Sequence, residues 1–206
     1  MKQSTTAFRR FRLRAGLPIL FSCAAVLLAD PRMALPCLLA AAFHECGHLL
    51  AARLLHVPLS ELRLDLFGAR ISVSSGLISY RAEFFLCAAG PLFSFLLAEL
   101  LSLPCLSAAT LGDGALAGLL PELRDASRFL GILNLLPVRG FDGARMLGAL
   151  LGAVTSPGLA ETVDRLCTGF FLLLLWGISV YLLLLTGGGL TLFVFSAGLF
   201  CKVFLT

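Results

Sequence analysis

Hydrophobic residues fall into long runs that are separated by short polar breaks along this chain. A bilayer core of about 30 Å needs about 20 apolar residues in a helix, and six runs approach that length. The fourth run is interrupted by the segment NLLPVRGFDG, which contains a proline and two glycines. The pattern predicts an all-α polytopic membrane protein of about six transmembrane helices. The runs are Ala15–Ala29, Met33–Leu55, Phe84–Leu103, Ala126–Leu151, Leu166–Thr186 and Leu190–Leu205.

A different pattern lies between the second and third runs, over residues 59–82. Apolar and polar residues alternate there, as in Leu62-Arg63-Leu64, and glycines break the alternation. Period-two alternation with such breaks is typical of antiparallel strands. We therefore expect a small β-hairpin or sheet at the cytoplasmic face of the membrane. It is either a plain connection or an edge that pairs with an extended peptide over residues 62–80, and the sequence leaves both open.

The composition excludes an ordinary soluble domain. Of the 206 residues, 59% are hydrophobic and 14% are charged, and the mean hydropathy is +0.97. Six spans with their loops leave no room for a separate soluble domain, so residues 1–206 are expected to form one membrane-embedded domain. The basic N-terminal arm and first run resemble a signal peptide. No clear cleavage site follows them, and we expect an uncleaved first span.

Basic residues concentrate on one side of the predicted spans. Lys and Arg favour the cytoplasmic side of a membrane, so both termini are predicted to be cytoplasmic. This distribution also explains the net charge of +4 without a nucleic-acid partner. The residues expected on that side are Lys2, Arg9, Arg10, Arg12, Arg14, Arg53, Arg63, Arg70, Arg81, Arg139, Arg145, Arg165 and Lys202.

Three ionisable residues interrupt the second apolar run in the stretch HECGH. Placing one ionisable side chain at the centre of a spanning helix costs about 2.5–3.5 kcal/mol on insertion scales, so a function is expected for them. His44 and His48 are four residues apart and lie about 40° apart on one helix face, where both can reach one metal ion. Glu45 lies one position further on. This is the arrangement of zinc hydrolases, in which the imidazoles bind zinc and the carboxylate takes a proton from water.

A catalytic zinc ion usually has a third protein ligand. His56 follows His48 by eight residues, beside a proline where the helix should end, and is expected at the membrane surface. Asp142 is the stronger candidate because it lies in the interrupted fourth run. His44 lies about 17 Å along the second run from Met33 at 1.5 Å per residue, and Asp142 can reach a similar depth. Irregular backbone at that depth is tolerated only against protein or a water-filled cavity.

These motifs resemble the site-2 protease family of intramembrane zinc metalloproteases. The resemblance rests on HECGH in one span and NLLPVRGFDG in a later one, and it also includes the segments GLPILF, LDLFGARI and AAGPLFSFLLA. It implies that His44, His48 and Asp142 bind one zinc ion and that Glu45 is the general base. It further implies that Asn134 supports the substrate carbonyl, since an amide N–H can stabilise a developing oxyanion.

The resemblance also implies an organisation within the domain. The catalytic core corresponds to residues 33–151, and residues 166–205 form two additional spans. The chain is most similar to the minimal and sporulation-type bacterial branch, and this resemblance implies a location in the bacterial inner membrane. It departs from the family in Arg139-Gly140-Phe141 before the aspartate, where proline and leucine are frequent, in Ala144 and in Ser94, where an asparagine is frequent.

The expected function is cleavage of peptide bonds in or near the transmembrane segment of membrane-associated proteins, that is, regulated intramembrane proteolysis. The partners expected are the lipid bilayer, a membrane protein or peptide substrate held by strand addition, and a regulatory membrane protein. The alternative is a non-catalytic membrane protein that binds or transports metal. Concentration of the ligands at one level of the membrane favours the enzyme.

Overall fold

The computed structural model describes residues 12–15, 31–57, 59–65, 68–73, 78–103, 115–186 and 190–205. Six helices and a sheet of three strands lie in this part of the chain. The predicted first span lies outside the described residues except for Ala15, which is the last residue of a strand. The helices are α1 (Pro31–Leu54), α2 (Tyr80–Leu101), α3 (Ala115–Leu135), α4 (Asp142–Val154), α5 (Pro157–Thr186) and α6 (Leu190–Leu205).

The sheet consists of β1 (Arg12–Ala15), β2 (Leu59–Asp65) and β3 (Gly68–Val73) in the order β1-β2-β3. Strands β2 and β3 are antiparallel, and Leu62 is paired with Ile71. They lie where the period-two alternation predicts strands. Strand β1 runs parallel to β2 and was not predicted, because its basic residues read as the arm that precedes a membrane span.

Three of the described helices are long and apolar enough to cross a membrane, namely Arg32–Leu54 of α1, Tyr80–Leu101 of α2 and Pro157–Leu185 of α5. The chain is therefore a membrane protein. Helix α6 has 16 residues. At 1.5 Å per residue that is about 24 Å, which is short of a core of about 30 Å. The six-span arrangement remains a prediction.

The interrupted fourth run forms two helices, α3 and α4, joined by residues 136–141. Helix α3 begins at Ala115 rather than at Ala126. The hydropathy pattern excluded this first part because it is charged, but charged residues are compatible with a helix. Arg124 donates to Asp125 at 2.8 Å, and Arg128 donates to Glu99 of α2 at 2.9 Å.

Helix α5 also begins earlier than predicted, at Pro157 rather than Leu166. Proline is favoured at the first position of a helix because its fixed φ suits the helix and the N–H it lacks would have no intrahelical partner. Glu161 accepts from Arg165 at 2.7 Å one turn later, which supports this polar first part. Further along α5, large apolar side chains are exposed, as expected of a lipid-facing surface: Leu166, Phe170, Leu173, Tyr181, Leu184 and Leu185.

Helix α2 is the centre of the bundle and contacts α1, α3 and α4. It begins at the N-cap Ser79, whose hydroxyl accepts from the N–H of Ala82 at 3.2 Å. Small residues bring its neighbours close, as in many membrane helix pairs. A Cβ at Gly47 of α1 would lie 2.5 Å from the carbonyl oxygen of Ala89, so the two helix backbones approach directly at this point.

Candidate metal centre

Helix α1 places His44 and His48 on one face, toward α2. The residues are only 3% and 5% exposed, and their rings are 4.9 Å apart in an edge-to-face arrangement. The four-residue spacing within a regular helix is sufficient to bring both rings to this side. The helix then ends at Leu54, before the third histidine of the chain, His56.

The third histidine, His56, is exposed in the turn after α1. His56 has a φ of +53°, and the N–H of Val57 donates to the carbonyl of Ala52 at 2.9 Å. This is the pattern of a helix C-cap in which one residue takes the left-handed conformation. His56 therefore ends the helix. Among the described residues it does not belong to the His/Asp cluster that could hold a metal ion.

A backbone carbonyl of α2 orients the ring of His48. Nδ1 of His48 lies 2.8 Å from the carbonyl oxygen of Leu86. A carbonyl can only accept, so Nδ1 carries the hydrogen, and Nε2 of the neutral ring has a free lone pair. Metal-binding histidines usually donate their other ring N–H to such an acceptor, which fixes both the tautomer and the ring orientation.

A side chain of α2 holds His44 in the same way. Nδ1 of His44 lies 2.9 Å from Oγ of Ser94, which is fully buried. With Nδ1 donating to this hydroxyl, Nε2 of His44 also presents a lone pair. Ser94 is one of the departures noted in the sequence, and its position gives it a clear role. Its hydroxyl contacts Nδ1 of His44, the ring nitrogen that does not face Asp142.

Asp142 brings a carboxylate to the two ring nitrogens. It is the first residue of α4 and is 9% exposed. Its Oδ2 atom lies 3.1 Å from Nε2 of His44 and 3.1 Å from Nε2 of His48, and the two Nε2 atoms are 3.3 Å apart. The N-terminus of a helix carries a partial positive charge, which favours an ionised carboxylate at this position.

This donor set fits one divalent ion. Two ring nitrogens and one carboxylate oxygen converge on the same small volume, as the ligand atoms of a bound cation do. Zinc bonds of about 2.0–2.2 Å in tetrahedral geometry put neighbouring ligand atoms about 3.4 Å apart. The three separations of 3.1, 3.1 and 3.3 Å are close to that spacing.

Gly90 of α2 leaves room beside the ligand atoms. A Cβ at Gly90 would lie 2.3 Å from Nε2 of His48 and 2.6 Å from Nε2 of His44. These contacts are far closer than any real Cβ makes, and they involve the ligand atoms themselves. The absence of a side chain at Gly90 therefore keeps open the space that the ring nitrogens border.

Comparison with known proteins finds a solved structure with a similar fold. The chain is similar to the solved structure of the site-2 protease from Methanocaldococcus jannaschii, with a TM-score of 0.63 over 93% of this chain and 91% of that one. The fold is site-2 protease-like. Sequence identity is 19%, so the likeness concerns the fold. No protein-family model matches the chain, and no curated protein matches it either.

Two predicted site residues, Glu45 and Asn134, are not among the three candidate metal ligands. Glu45 follows His44 on α1, and its Oε2 atom is buried. Asn134 is part-buried near the end of α3, where its Nδ2 donates to the carbonyl of Leu130 at 3.0 Å, along its own helix. An amide group has two N–H bonds, and this contact uses one of them.

Three contributions from α2 were not predicted as parts of the site. They are the carbonyl of Leu86, the missing side chain of Gly90 and the hydroxyl of Ser94. All three lie on one face of α2, since each is four residues from the next. A small polar residue four positions from a glycine inside an apolar span is a signal that could have indicated them, but it is weak without the histidines beside it.

Proposed function

We propose that the protein is an intramembrane zinc metalloprotease that cleaves peptide bonds of membrane-associated proteins in or near their transmembrane segment. One observation carries this proposal. Two imidazole nitrogens from α1 and one carboxylate oxygen from α4 converge within 3.3 Å in a chain with a site-2 protease-like fold. A third imidazole is not required, because two histidines and one carboxylate form a known zinc ligand set for hydrolysis.

In this proposal His44, His48 and Asp142 hold one zinc ion per chain. When bound, the ion supplies a Lewis acid for the substrate carbonyl and lowers the pKa of a water molecule. Glu45 accepts a proton from the attacking water at its carboxylate and later donates a proton to the leaving amine. The second amide N–H of Asn134 donates to the carbonyl oxygen as negative charge develops on it.

Substrate recognition requires an extended peptide, because a helical peptide bond is shielded and its polar groups are already hydrogen-bonded. We propose that the substrate pairs with the sheet over residues 62–80. Strand β3 supports this, since it lies at one end of the order β1-β2-β3 and has one neighbour in the described sheet. An edge strand presents unpaired backbone donors and acceptors to another chain.

The proposed location is the bacterial inner membrane, with several spans, both termini in the cytoplasm and residues 1–206 in one domain. A regulatory membrane partner is part of the same proposal. The comparisons give no support to the sporulation-type branch. A protein that only binds or transports metal is the alternative that the following experiment separates.

The decisive variant is Glu45→Gln, which keeps the size of the side chain and removes its ability to accept a proton. We expect it to lower cleavage by at least about a hundredfold, which is the lower range for loss of a general acid–base group. Cleavage is measured by comparing the termini of membrane proteins from cells that contain the parent or the variant. Zinc content of both purified proteins is measured by elemental analysis.

The expected combination is one zinc ion in both proteins and cleavage products only with the parent. A zinc-loaded parent whose cellular products match those of Glu45→Gln would favour the non-catalytic metal protein. A parent that contains no metal would overturn the proposed function altogether.

A further inference from the structure

Residues 136–141, which we call the ligand loop, connect α3 to Asp142. The loop turns tightly. The N–H of Val138 donates to the carbonyl of Leu136 at 2.8 Å, and the N–H of Phe141 donates to that of Val138 at 3.0 Å. Gly140 has a φ of +107°, a conformation that favours glycine. The turn sets where α4 begins and therefore where Asp142 lies.

The apolar side chains of the ligand loop are buried against the last two helices. Val138 and Phe141 are buried in one cluster with Leu172 of α5 and Leu199 of α6. Phe141 is the N-cap position of α4 and makes no side-chain capping hydrogen bond there. Its ring is instead packed into this cluster. The residue immediately before the third metal ligand is thus held by α5 and α6.

Polar contacts from α5 hold the same loop at its middle. The backbone N–H of Arg139 donates to Oγ1 of Thr168, which is buried, at 3.2 Å. Nε of Arg139 donates to Oδ2 of Asp164 at 2.6 Å. Asp164 and Thr168 are four residues apart and lie on one face of α5. Arg139 therefore has both its backbone and its side chain attached to one helix.

We propose that Asp164 and Thr168 are positioning residues for the metal centre, acting through Arg139 and the ligand loop on Asp142. This inference rests on the proposed metal centre and extends it to the C-terminal helices. Asp142 Oδ2 lies 3.1 Å from each ring nitrogen, so a small displacement of the loop changes both separations. Helices α5 and α6 then help to hold the third metal ligand in place.

The role also gives a reason for Arg139, where the family frequently has another residue. A guanidinium at this position is useful when a carboxylate of α5 is within reach, as Asp164 is. Side-chain exposure of 44% for Arg139 and 19% for Asp164 makes this a half-exposed pair, so it orients the loop more than it stabilises the fold.

The first test compares Thr168→Val with Thr168→Ser in the Glu45→Gln protein, purified as the full chain. Valine is similar in size but cannot accept the N–H of Arg139, whereas serine can. We expect Thr168→Val to bind zinc about tenfold more weakly, the lower range for loss of a group that orients a metal ligand, and Thr168→Ser to match the parent. Zinc affinity is measured by competition with a chromophoric chelator, and Co²⁺ absorption reports the coordination geometry.

The second test uses Arg139→Gln, Asp164→Asn and the double variant, and it stands even if Thr168→Val does not fold. Each single variant should weaken zinc binding about two- to fivefold, in the range of a half-exposed ion pair. The double variant should be no weaker than either single one, because both remove the same contact. Arg165→Gln is the matched control. It breaks the exposed pair of α5 with Glu161 and should leave zinc affinity unchanged.

These outcomes separate positioning from a purely structural role. A lower melting temperature of the metal-free variants with unchanged zinc affinity and Co²⁺ spectrum would overturn the inference and leave the proposed function intact. Additive losses in the double variant would also overturn it. A Glu45→Gln parent that binds no zinc would overturn the proposed function, and this inference with it.

Discussion

At the residue scale, the site depends on which atoms of each histidine face the metal. The carbonyl of Leu86 can only accept, which places the hydrogen of His48 on Nδ1, and Ser94 Oγ lies within hydrogen-bond distance of Nδ1 of His44. When Nδ1 of His44 donates to that hydroxyl, both Nε2 lone pairs are available together, which the spacing in HECGH alone does not guarantee. Gly90 matters for the same two atoms, because a side chain larger than hydrogen at this position would point at both Nε2 atoms.

We predict that Gly90→Ala abolishes zinc binding. The new methyl group would lie within 2.6 Å of both Nε2 atoms, and the rings cannot turn away without breaking their hydrogen bonds to α2. Elemental analysis of the purified variant measures the loss. The matched control is Gly169→Ala, whose Cβ would meet nothing within 4 Å. Stoichiometric zinc in Gly90→Ala would contradict the geometry described for α2.

At the element scale, α2 provides the surface on which α1 and α4 meet, and the start of α4 is set by close packing. Helix α1 contributes both imidazoles and α4 contributes the carboxylate, while α2 contacts both helices. A Cβ at Gly143 would lie 2.1 Å from the carbonyl oxygen of Leu135, at the end of α3. The first turn of α4 therefore lies directly against the last turn of α3.

We predict that Gly143→Ala weakens zinc binding at least tenfold, because the clash involves backbone and must move the residue next to Asp142. A second glycine of the same helix provides the control. Gly148→Ala meets nothing within 4 Å and should bind zinc like the parent. It should also gain stability, since alanine favours a helix over glycine by about 1 kcal/mol. Both affinities are measured in one chelator competition series, and equal values for the two variants would refute this account.

At the scale of the whole molecule, the metal centre would join α1 to α4 across the bundle. Nε2 of His44 and Oδ2 of Asp142 lie 3.1 Å apart there, although the two residues are 98 positions apart in the chain. An ion that binds the folded protein and not the unfolded one stabilises it by about 2.7 kcal/mol when its free concentration is 100 times the dissociation constant. Metal removal should therefore be visible as a global loss of stability.

We predict that zinc removal by a chelator lowers the melting temperature by about 5–10 °C, following the usual relation between free energy and melting temperature at this size. Readdition of zinc should restore it. Asp142→Ala should have the low melting temperature whether or not zinc is present, because the third ligand is lost. The measurement is thermal unfolding of the detergent-solubilised protein. A zinc-dependent shift in Asp142→Ala equal to that of the parent would show that the stabilising site lies elsewhere.

The sequence by itself determined the features that depend on neighbouring positions. Long apolar runs indicated a membrane protein, because a spanning helix needs a continuous apolar length. The spacing of His44 and His48 placed two imidazoles on one helix face, since four residues are close to one turn. The sequence also singled out Asp142 as the carboxylate for the site, from its depth and from a family resemblance.

Only the tertiary structure decided what lies between distant segments. It brings Asp142 to 3.1 Å from both rings and gives each ring a hydrogen-bond partner on α2. It also attaches the ligand loop to α5 through Arg139, which the sequence presented only as a departure from the family. The physical reason is the same in each case. Local periodicity specifies faces of single helices, whereas hydrogen-bond partners and close approaches depend on how those faces pack together.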